Sequence, residues 1–273
     1  MPLGHGTREL EPLGKAVNNT ADYSAVGWPD RTPAAMSSLL DGLKPTLRLH
    51  LNAGAAIVVV GDTETLAAFD PRLTPNERTR FDRVIVPKQR RTHALGHGLV
   101  RHLLNLPTTD FLQTPNGKPW VADAEFNISH SGALITVAIH QSRPVGVDVE
   151  VMSRHVRANE LMDRICHPAE KNWINQHQPS ERDHAFLRCW VRKEALLKAT
   201  GTGLVDDLQA IDTLLHRASP IVTFKKPQRL WDLPQGTSTL ATDPEIDRVV
   251  FASLCCDGVV TMSLDQEGNV RQS

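Results

Sequence analysis

Between Phe186 and Ala199 the chain writes a helix whose apolar stripe is interrupted by charge. Leu187, Trp190, Val191 and Leu197 recur at helical spacing. Glu194 lies four residues after Trp190 and Lys198 four after Glu194, so both continue the stripe. A Glu–Lys pair at this spacing is the favoured surface ion pair, worth about 0.2–0.5 kcal/mol, but such a pair belongs opposite the apolar face. On the inward face, charge is costly unless it is paired or bound to something. Whatever packs against this helix must therefore answer a carboxylate and an ammonium. Gly201 and Gly203 supply the helix stop.

A second stretch, Gly146-Val147-Asp148-Val149-Glu150, is predicted to be a strand. Side chains alternate across a strand, so Val145, Val147 and Val149 share one face and Gly146, Asp148 and Glu150 the other. The two carboxylates then stand ~7 Å apart along the strand, a gap over which two oxygens can reach one small ion. Without a side chain, Gly146 lets another group approach the backbone. Taken alone, this motif favours a half-exposed strand with a polar outer face. A third stretch, Phe126-Asn127-Ile128-Ser129-His130-Ser131, sets hydroxyls and an imidazole beside a buried strand. Backbone N–H groups and hydroxyls at such a strand end can hold a phosphate. Together the three stretches describe a site for one hard divalent cation and a polyphosphate.

The rest of the chain limits the classes open to it. Its 273 residues suffice for one large domain or two small ones, and 40% hydrophobic with 22% charged residues is ordinary globular composition. A net charge of −1 gives no overall field toward nucleic acid or a membrane. The longest apolar run, Ala55 to Val60, is a strand and too short to span a bilayer. No basic segment followed by an apolar run marks a signal peptide. Cys166, Cys189, Cys255 and Cys256 form no C-x-x-C pair and no evident disulfide framework, which fits a reducing cytoplasm.

Residues 1–50 read as a poorly specified extension, partly ordered against the body, with a short helix near Ala34–Leu43. Thr74, Pro75 and Glu77 mark a helix start as N-cap, N1 and N3. Arg90 to Leu104 is predicted to be a basic amphipathic helix, and Pro107–Pro119 a loop with a turn at Asn116-Gly117. Strands are predicted at Ile57–Val60, Phe126–Ser129, Leu134–His140, Val145–Glu150, Ile221–Phe224, Val249–Cys255 and Val259–Leu264. Asp257-Gly258 joins the last two as a hairpin turn. Short helices fall at Leu161–Ile165 and Pro168–Asn175. The fold class is therefore α+β, in two halves at residues 51–145 and 146–273, each with helices and a small antiparallel sheet.

The ordered set F-N-I-S-H-S, G-V-D-V-E and W-x-x-K-E-x-x-x-K resembles the 4′-phosphopantetheinyl transferases, and among them the larger, monomeric type acting on peptide and polyketide synthases. Order and spacing together are far more specific than any one motif. The resemblance covers roughly residues 57–264 and implies a pseudo-twofold pair of similar α+β halves binding Mg²⁺ and coenzyme A between them. By resemblance, Asp148, Glu150 and Glu194 correspond to the metal-binding acids, with Glu194 and Lys198 as catalytic residues. Lys198 and Lys193 correspond to phosphate contacts, Ser129 and His130 to contacts with the coenzyme A phosphates, and Lys118 to a lysine at the adenosine end. Arg90 and Arg91 fall in the stretch that contacts the 3′-phosphate. Where relatives commonly carry Gly-Arg this chain reads Gly96-His97, leaving His97 or Arg91 as the anchor.

The resemblance implies transfer of the 4′-phosphopantetheine group of coenzyme A to a serine of an apo acyl or peptidyl carrier protein, with Mg²⁺. Adenosine 3′,5′-bisphosphate is the other product. The expectation is of a cytoplasmic monomer with no nucleic-acid or membrane partner. Arg154, Arg157 and Arg164, or the apolar region Leu161–Trp173, offer a docking face for an acidic carrier. Two other classes remain open at this point: a module that binds coenzyme A or a carrier without transferring anything, and a Mg²⁺-dependent phosphohydrolase.

Overall fold

The computed structural model describes residues 32–151, 156, 158–203, 205–234, 237–255, 258–267 and 269–272. Arg154, Arg157, Asp257 and residues 1–31 of the expected extension lie outside the described residues. In chain order the first part comprises α1 (Pro33–Asn52), β1 (Ala56–Asp62), α2 (Pro75–Asp82), α3 (Pro87–Leu104), β2 (Leu112–Gln113), β3 (Pro119–Trp120), β4 (Glu125–Ser131), β5 (Leu134–His140) and β6 (Val145–Glu150). There follow α4 (Ala158–Ile165), α5 (Pro168–Asn175), α6 (Pro179–Thr200), β7 (Ile221–Phe224), β8 (Lys226–Asp232), β9 (Thr237–Thr242), β10 (Val249–Cys255), β11 (Gly258–Leu264) and β12 (Val270–Gln272). The expected α+β class is the one the chain adopts.

A six-stranded sheet runs β12-β11-β10-β1-β5-β4, and a four-stranded sheet runs β6-β9-β8-β7. At the centre of the larger sheet, β1 pairs antiparallel with β5 and parallel with β10. Strands from the end of the chain thus return to the sheet begun near its start.

Strand alternation builds the layers. Ile57 and Val59 of β1 face α1 and α3, in a core with Leu43, Leu47, Leu95 and Leu99. Val58 and Val60 face the four-stranded sheet, where they meet Val145, Val147, Trp231 and Leu240. On that sheet's far side, Ala195, Leu196 and Ala199 of α6 pack on Leu230 and Ala241. The stack is helix, sheet, sheet, helix.

Local signals hold where they satisfy the chain's own polar groups. At α2 the Thr74 side chain accepts from Glu77 N while Glu77 reaches back to the Thr74 N–H, the capping box that the sequence predicts. Helix α6 ends at Gly201 in the left-handed region, φ 66°. Helix α1 runs past the expected Leu43 to Asn52, with Pro45 inside it. Burial of Leu40, Leu43 and Leu47 offsets the hydrogen bond that the proline removes. Five strands, the short β2, β3 and β12 and the longer β8 and β9, have no counterpart in the sequence reading. β8 contains Pro227 near its start, and β9 is the run Thr-Ser-Thr-Leu-Ala-Thr, buried at every position and so without polar alternation. Among the described residues no helix is long and apolar enough to cross a membrane.

Gly146 is where β6 and α6 touch. A Cβ placed there would stand 2.1 Å from Ala195 O and 2.2 Å from Ala199 N. The close approach foreseen at this glycine is made by the chain's own helix. Gly146→Ala must push α6 off the sheet, so we expect destabilisation of about 1–3 kcal/mol or more in urea unfolding.

Candidate active site

The site forms where the edge strands of the two sheets meet. β4 ends one sheet and β6 ends the other. They are joined by side chains. Asn127 Oδ1 accepts from Val147 N at 2.9 Å, Ser129 Oγ donates to Asp148 Oδ1 at 2.8 Å, and Ser131 Oγ donates to Glu150 Oε2 at 2.6 Å. Alternation explains the set, since Asn127, Ser129 and Ser131 share one face of β4 and reach across to β6.

Helix α6 closes the site. Lys198 Nζ donates to Asp148 Oδ1 at 2.6 Å, to Ser129 Oγ at 3.1 Å and to Val147 O at 3.3 Å. Glu194, one turn earlier, lines a cleft of roughly 230 Å³ with Lys198, Asn127, Lys118, Asn116, Gly201 and Gly203. Lys118 Nζ donates to Val145 O at 3.1 Å and lies 3.7 Å from Glu125.

The carboxylates raise one another's proton affinity. Burial pushes the Asp148 carboxyl above its ordinary value against Lys198 and Ser129, and Glu150 adds to the push. Burial likewise raises Glu194, with Asp148 and Glu150 in the same sense and Lys198 opposing. In both groups burial is the largest cause, and the neighbouring acids add to it.

Asp148 divides its oxygens. Oδ1 is taken by Ser129 and Lys198, whereas Oδ2 is buried with no hydrogen-bond partner among the described residues. A buried carboxylate oxygen without a partner, on an acid that feels the charge of Glu150 and acts on Glu194, fits a hard cation, for which oxygen is the preferred donor. Asp148, Glu150 and Glu194 are the residues that would hold Mg²⁺. Among the described residues the group whose ligand atoms all lie within 4.8 Å of one another is instead Cys166, Glu170 and Cys189, but Lys193 Nζ already occupies Glu170 at 2.8 Å and a metal there would meet that ammonium.

His130 falls on the opposite face of β4, beside Phe126 and Ile128. There its Nε2 lies 3.3 Å from Nδ1 of His93 on α3. His93 was not singled out from the sequence, nor was the bond that Ser131 makes to Glu150. Alternation within Ser129-His130-Ser131 was the signal available for the serine.

Three residues assigned to phosphate by resemblance have partners elsewhere in the chain. Lys193 is fully buried, paired with Glu170 and donating to the carbonyls of Leu208 and Ile211. It lies on a second buried stripe with Phe186, Cys189 and Leu196, away from the stripe of Glu194 and Lys198. Arg91 spends its guanidinium on the carbonyls of Leu66, Ala67 and Phe69. Arg90 holds Val84 O at 3.0 Å and pairs with Asp82 at 3.4 Å.

His97, the other candidate anchor, places Nδ1 2.6 Å from Glu77 Oε1, where Arg101 also donates. Burial lowers the His97 pKa against the pull of that carboxylate. Arg164 is exposed at the end of α4.

A family model for the 4′-phosphopantetheinyl transferase superfamily matches residues 144–246, a span that takes in the three acids and Lys198. The chain is 31% identical over 160 residues to the 4′-phosphopantetheinyl transferase HetI of Nostoc sp., covering 54% of this chain and 67% of that protein. It is 30% identical over 191 residues to the 4′-phosphopantetheinyl transferase psf-1 of Bacillus pumilus, covering 64% and 74%. A third relative, the putative 4′-phosphopantetheinyl transferase slr0495 of Synechocystis sp., is 29% identical over 161 residues, covering 55% and 65%.

Two tests follow from these networks. Lys193→Met leaves the Glu170 carboxylate buried without its cation, and we expect a loss of roughly 3–5 kcal/mol in urea unfolding. Glu77 works oppositely. Burial raises its pKa, but hydrogen bonds from His97, Arg101 and Thr74 N outweigh this and bring it to about 2. Its stabilisation is therefore complete above its ordinary value of 4.5 and is lost as pH falls toward 2. In Glu77→Gln the decline of thermal stability between about pH 5 and pH 2 becomes shallower.

Proposed function

Because this chain belongs to the 4′-phosphopantetheinyl transferase superfamily, we propose that it moves the 4′-phosphopantetheine group of coenzyme A onto a serine of an apo acyl or peptidyl carrier protein, with Mg²⁺. The observation that carries this reading is the convergence of Asp148, Glu150, Glu194 and Lys198 at the meeting of β4, β6 and α6, with Asp148 Oδ2 left over for a cation. Action as a monomer in a reducing cytoplasm, on carriers of peptide or polyketide assembly, belongs to the same proposal. The buried free thiols of Cys166 and Cys189 are in keeping with that compartment.

In this reaction the serine Oγ forms a bond to the β-phosphorus of coenzyme A. The bond from that phosphorus to the oxygen bridging toward the adenosine side breaks, releasing adenosine 3′,5′-bisphosphate. Bound Mg²⁺ supplies Lewis-acid stabilisation of the pyrophosphate charge. Lys198, held by Asp148 and Ser129, places a cation at the wall of the cleft where phosphate oxygens accumulate charge. Glu194 lines the same cleft and takes the serine proton. Ser129 and Ser131 keep Asp148 and Glu150 turned inward while the substrate exchanges.

Incubation with coenzyme A, Mg²⁺ and a panel of apo carriers, read by intact mass, tests the reading. We expect one phosphopantetheine gained on at least one carrier. Glu194→Gln should lower transfer by about 10²–10⁴-fold with its melting temperature kept. Lys193→Met, assayed below its own melting transition, should keep most of its kcat. Phosphate released from coenzyme A without a carrier, or binding without transfer, would overturn the assignment.

A further inference from the structure

Two thiols that the transfer chemistry does not use stand within reach of each other. Cys166 follows the last residue of α4, and Cys189 lies within α6, 23 residues further on. Their sulfurs are 3.6 Å apart, and both residues are fully buried. Ala158, Met162, Ile174, Phe186 and Leu215 belong to the same apolar cluster. A disulfide holds its sulfurs ~2.05 Å apart, so an approach of about 1.5 Å would join these two.

The hydrogen bonds fix which thiol donates. Cys189 Sγ donates to Glu170 Oε2 at 3.2 Å. Its one proton is thereby used, so between the thiols Cys166 donates and Cys189 offers a lone pair. Glu170 can lose the Cys189 bond and still be satisfied. Lys193 Nζ and His167 N remain on Oε2, and Thr213 N and Oγ remain on Oε1. Joining the sulfurs therefore orphans no buried acceptor.

The two sulfurs differ in their freedom to move. Cys189 belongs to a 22-residue helix held close by through Lys193–Glu170 and Arg192–Asp232. Cys166 ends an eight-residue helix, where its N–H bonds to Met162 O, and its neighbours Ile165 and His167 are partly exposed. The approach, and any opening to solvent, falls to Cys166.

We propose that Cys166 and Cys189 form a modification site, oxidised by hydrogen peroxide to a reversible disulfide that fastens α4 to the helix bearing Glu194 and Lys198. When the turn at Cys166 opens, its thiol gives a proton to water and the sulfur attacks the peroxide. The O–O bond breaks, the sulfur is oxidised to a sulfenic acid, and the leaving hydroxide takes up the proton as water. On closing, the Cys189 sulfur displaces the hydroxyl from Cys166. The S–S bond forms, the S–O bond breaks, and the Cys189 proton, passed through Glu170, leaves with the hydroxyl as a second water. Two thiols and one peroxide thus become one disulfide and two waters. The bond lies on the α6 stripe of Phe186, Cys189 and Lys193, so it constrains the fold without touching the acids. No step needs coenzyme A or a carrier, so this site and the transferase reading stand or fall separately.

The purified full chain, treated with hydrogen peroxide without denaturant, alkylated and digested without reductant, should yield a peptide pair joining Cys166 to Cys189, lighter by two hydrogens than the two thiol peptides. Its melting temperature should rise about 5–10 °C, the scale set by closing a 23-residue loop, and return to the starting value with dithiothreitol. Cys166→Ser should abolish both the linked peptide and the rise.

Recovery of Cys166 and Cys189 as separate peptides after peroxide overturns the proposal, as does a link that forms only in urea or that joins either of them to Cys255 or Cys256. A linked chain that melts no higher than the reduced one also overturns it. Should Cys166→Ser fail to fold, the wild-type peptide map and the wild-type melting curves with and without dithiothreitol still decide.

Discussion

Side chains, not backbone, join the two sheets of this protein at the place that matters. β4 and β6 are both edge strands, and an edge strand carries a row of polar groups that must be satisfied. Asn127, Ser129 and Ser131 do so by reaching from alternate positions of β4 to Val147 N, Asp148 and Glu150. The same bonds that join the sheet edges aim the two carboxylates. A backbone ladder would have sealed the junction and left no room for a ligand. The side-chain ladder leaves a cleft whose walls are already oriented.

Helix α6 depends on that junction and completes it. Because Gly146 has no side chain, the helix backbone lies directly on β6, so Lys198 reaches Asp148 and Glu194 lines the cleft beside it. Its other faces are pinned by buried charge. Lys193 pairs with Glu170, and Arg192 donates to Asp232 and to the carbonyls of Thr213, Leu214 and Arg217. Pairs of this kind add little net stability over an apolar core, but losing one partner is expensive, so they hold the helix in one register. Rotation of α6 by one residue would misplace Glu194 and strand Lys193 and Arg192 together.

The acids and Lys198 were legible from the sequence because each broke a local rule. Two carboxylates on one strand face and two charges on an apolar helix stripe call for a partner. The capping box at Thr74 and the stop at Gly201 were legible for the same kind of local reason. β9 was not, since a strand buried on both faces shows no polar alternation. For Arg91 and Lys193 a motif shows charge but not whether that charge is available. In the fold, loop carbonyls and Glu170 claim it first.

By itself, then, the sequence determined which side chains share a strand face or a helix stripe, because those relations follow from periods of 2 and 3.6 residues. It also determined the α+β class. Only the tertiary structure decided which charges are spent on the protein and which stay open to a ligand. Hydrogen bonding is a competition among groups distant in the chain, such as Ser131 with Glu150 or His93 with His130, and no local period encodes its outcome.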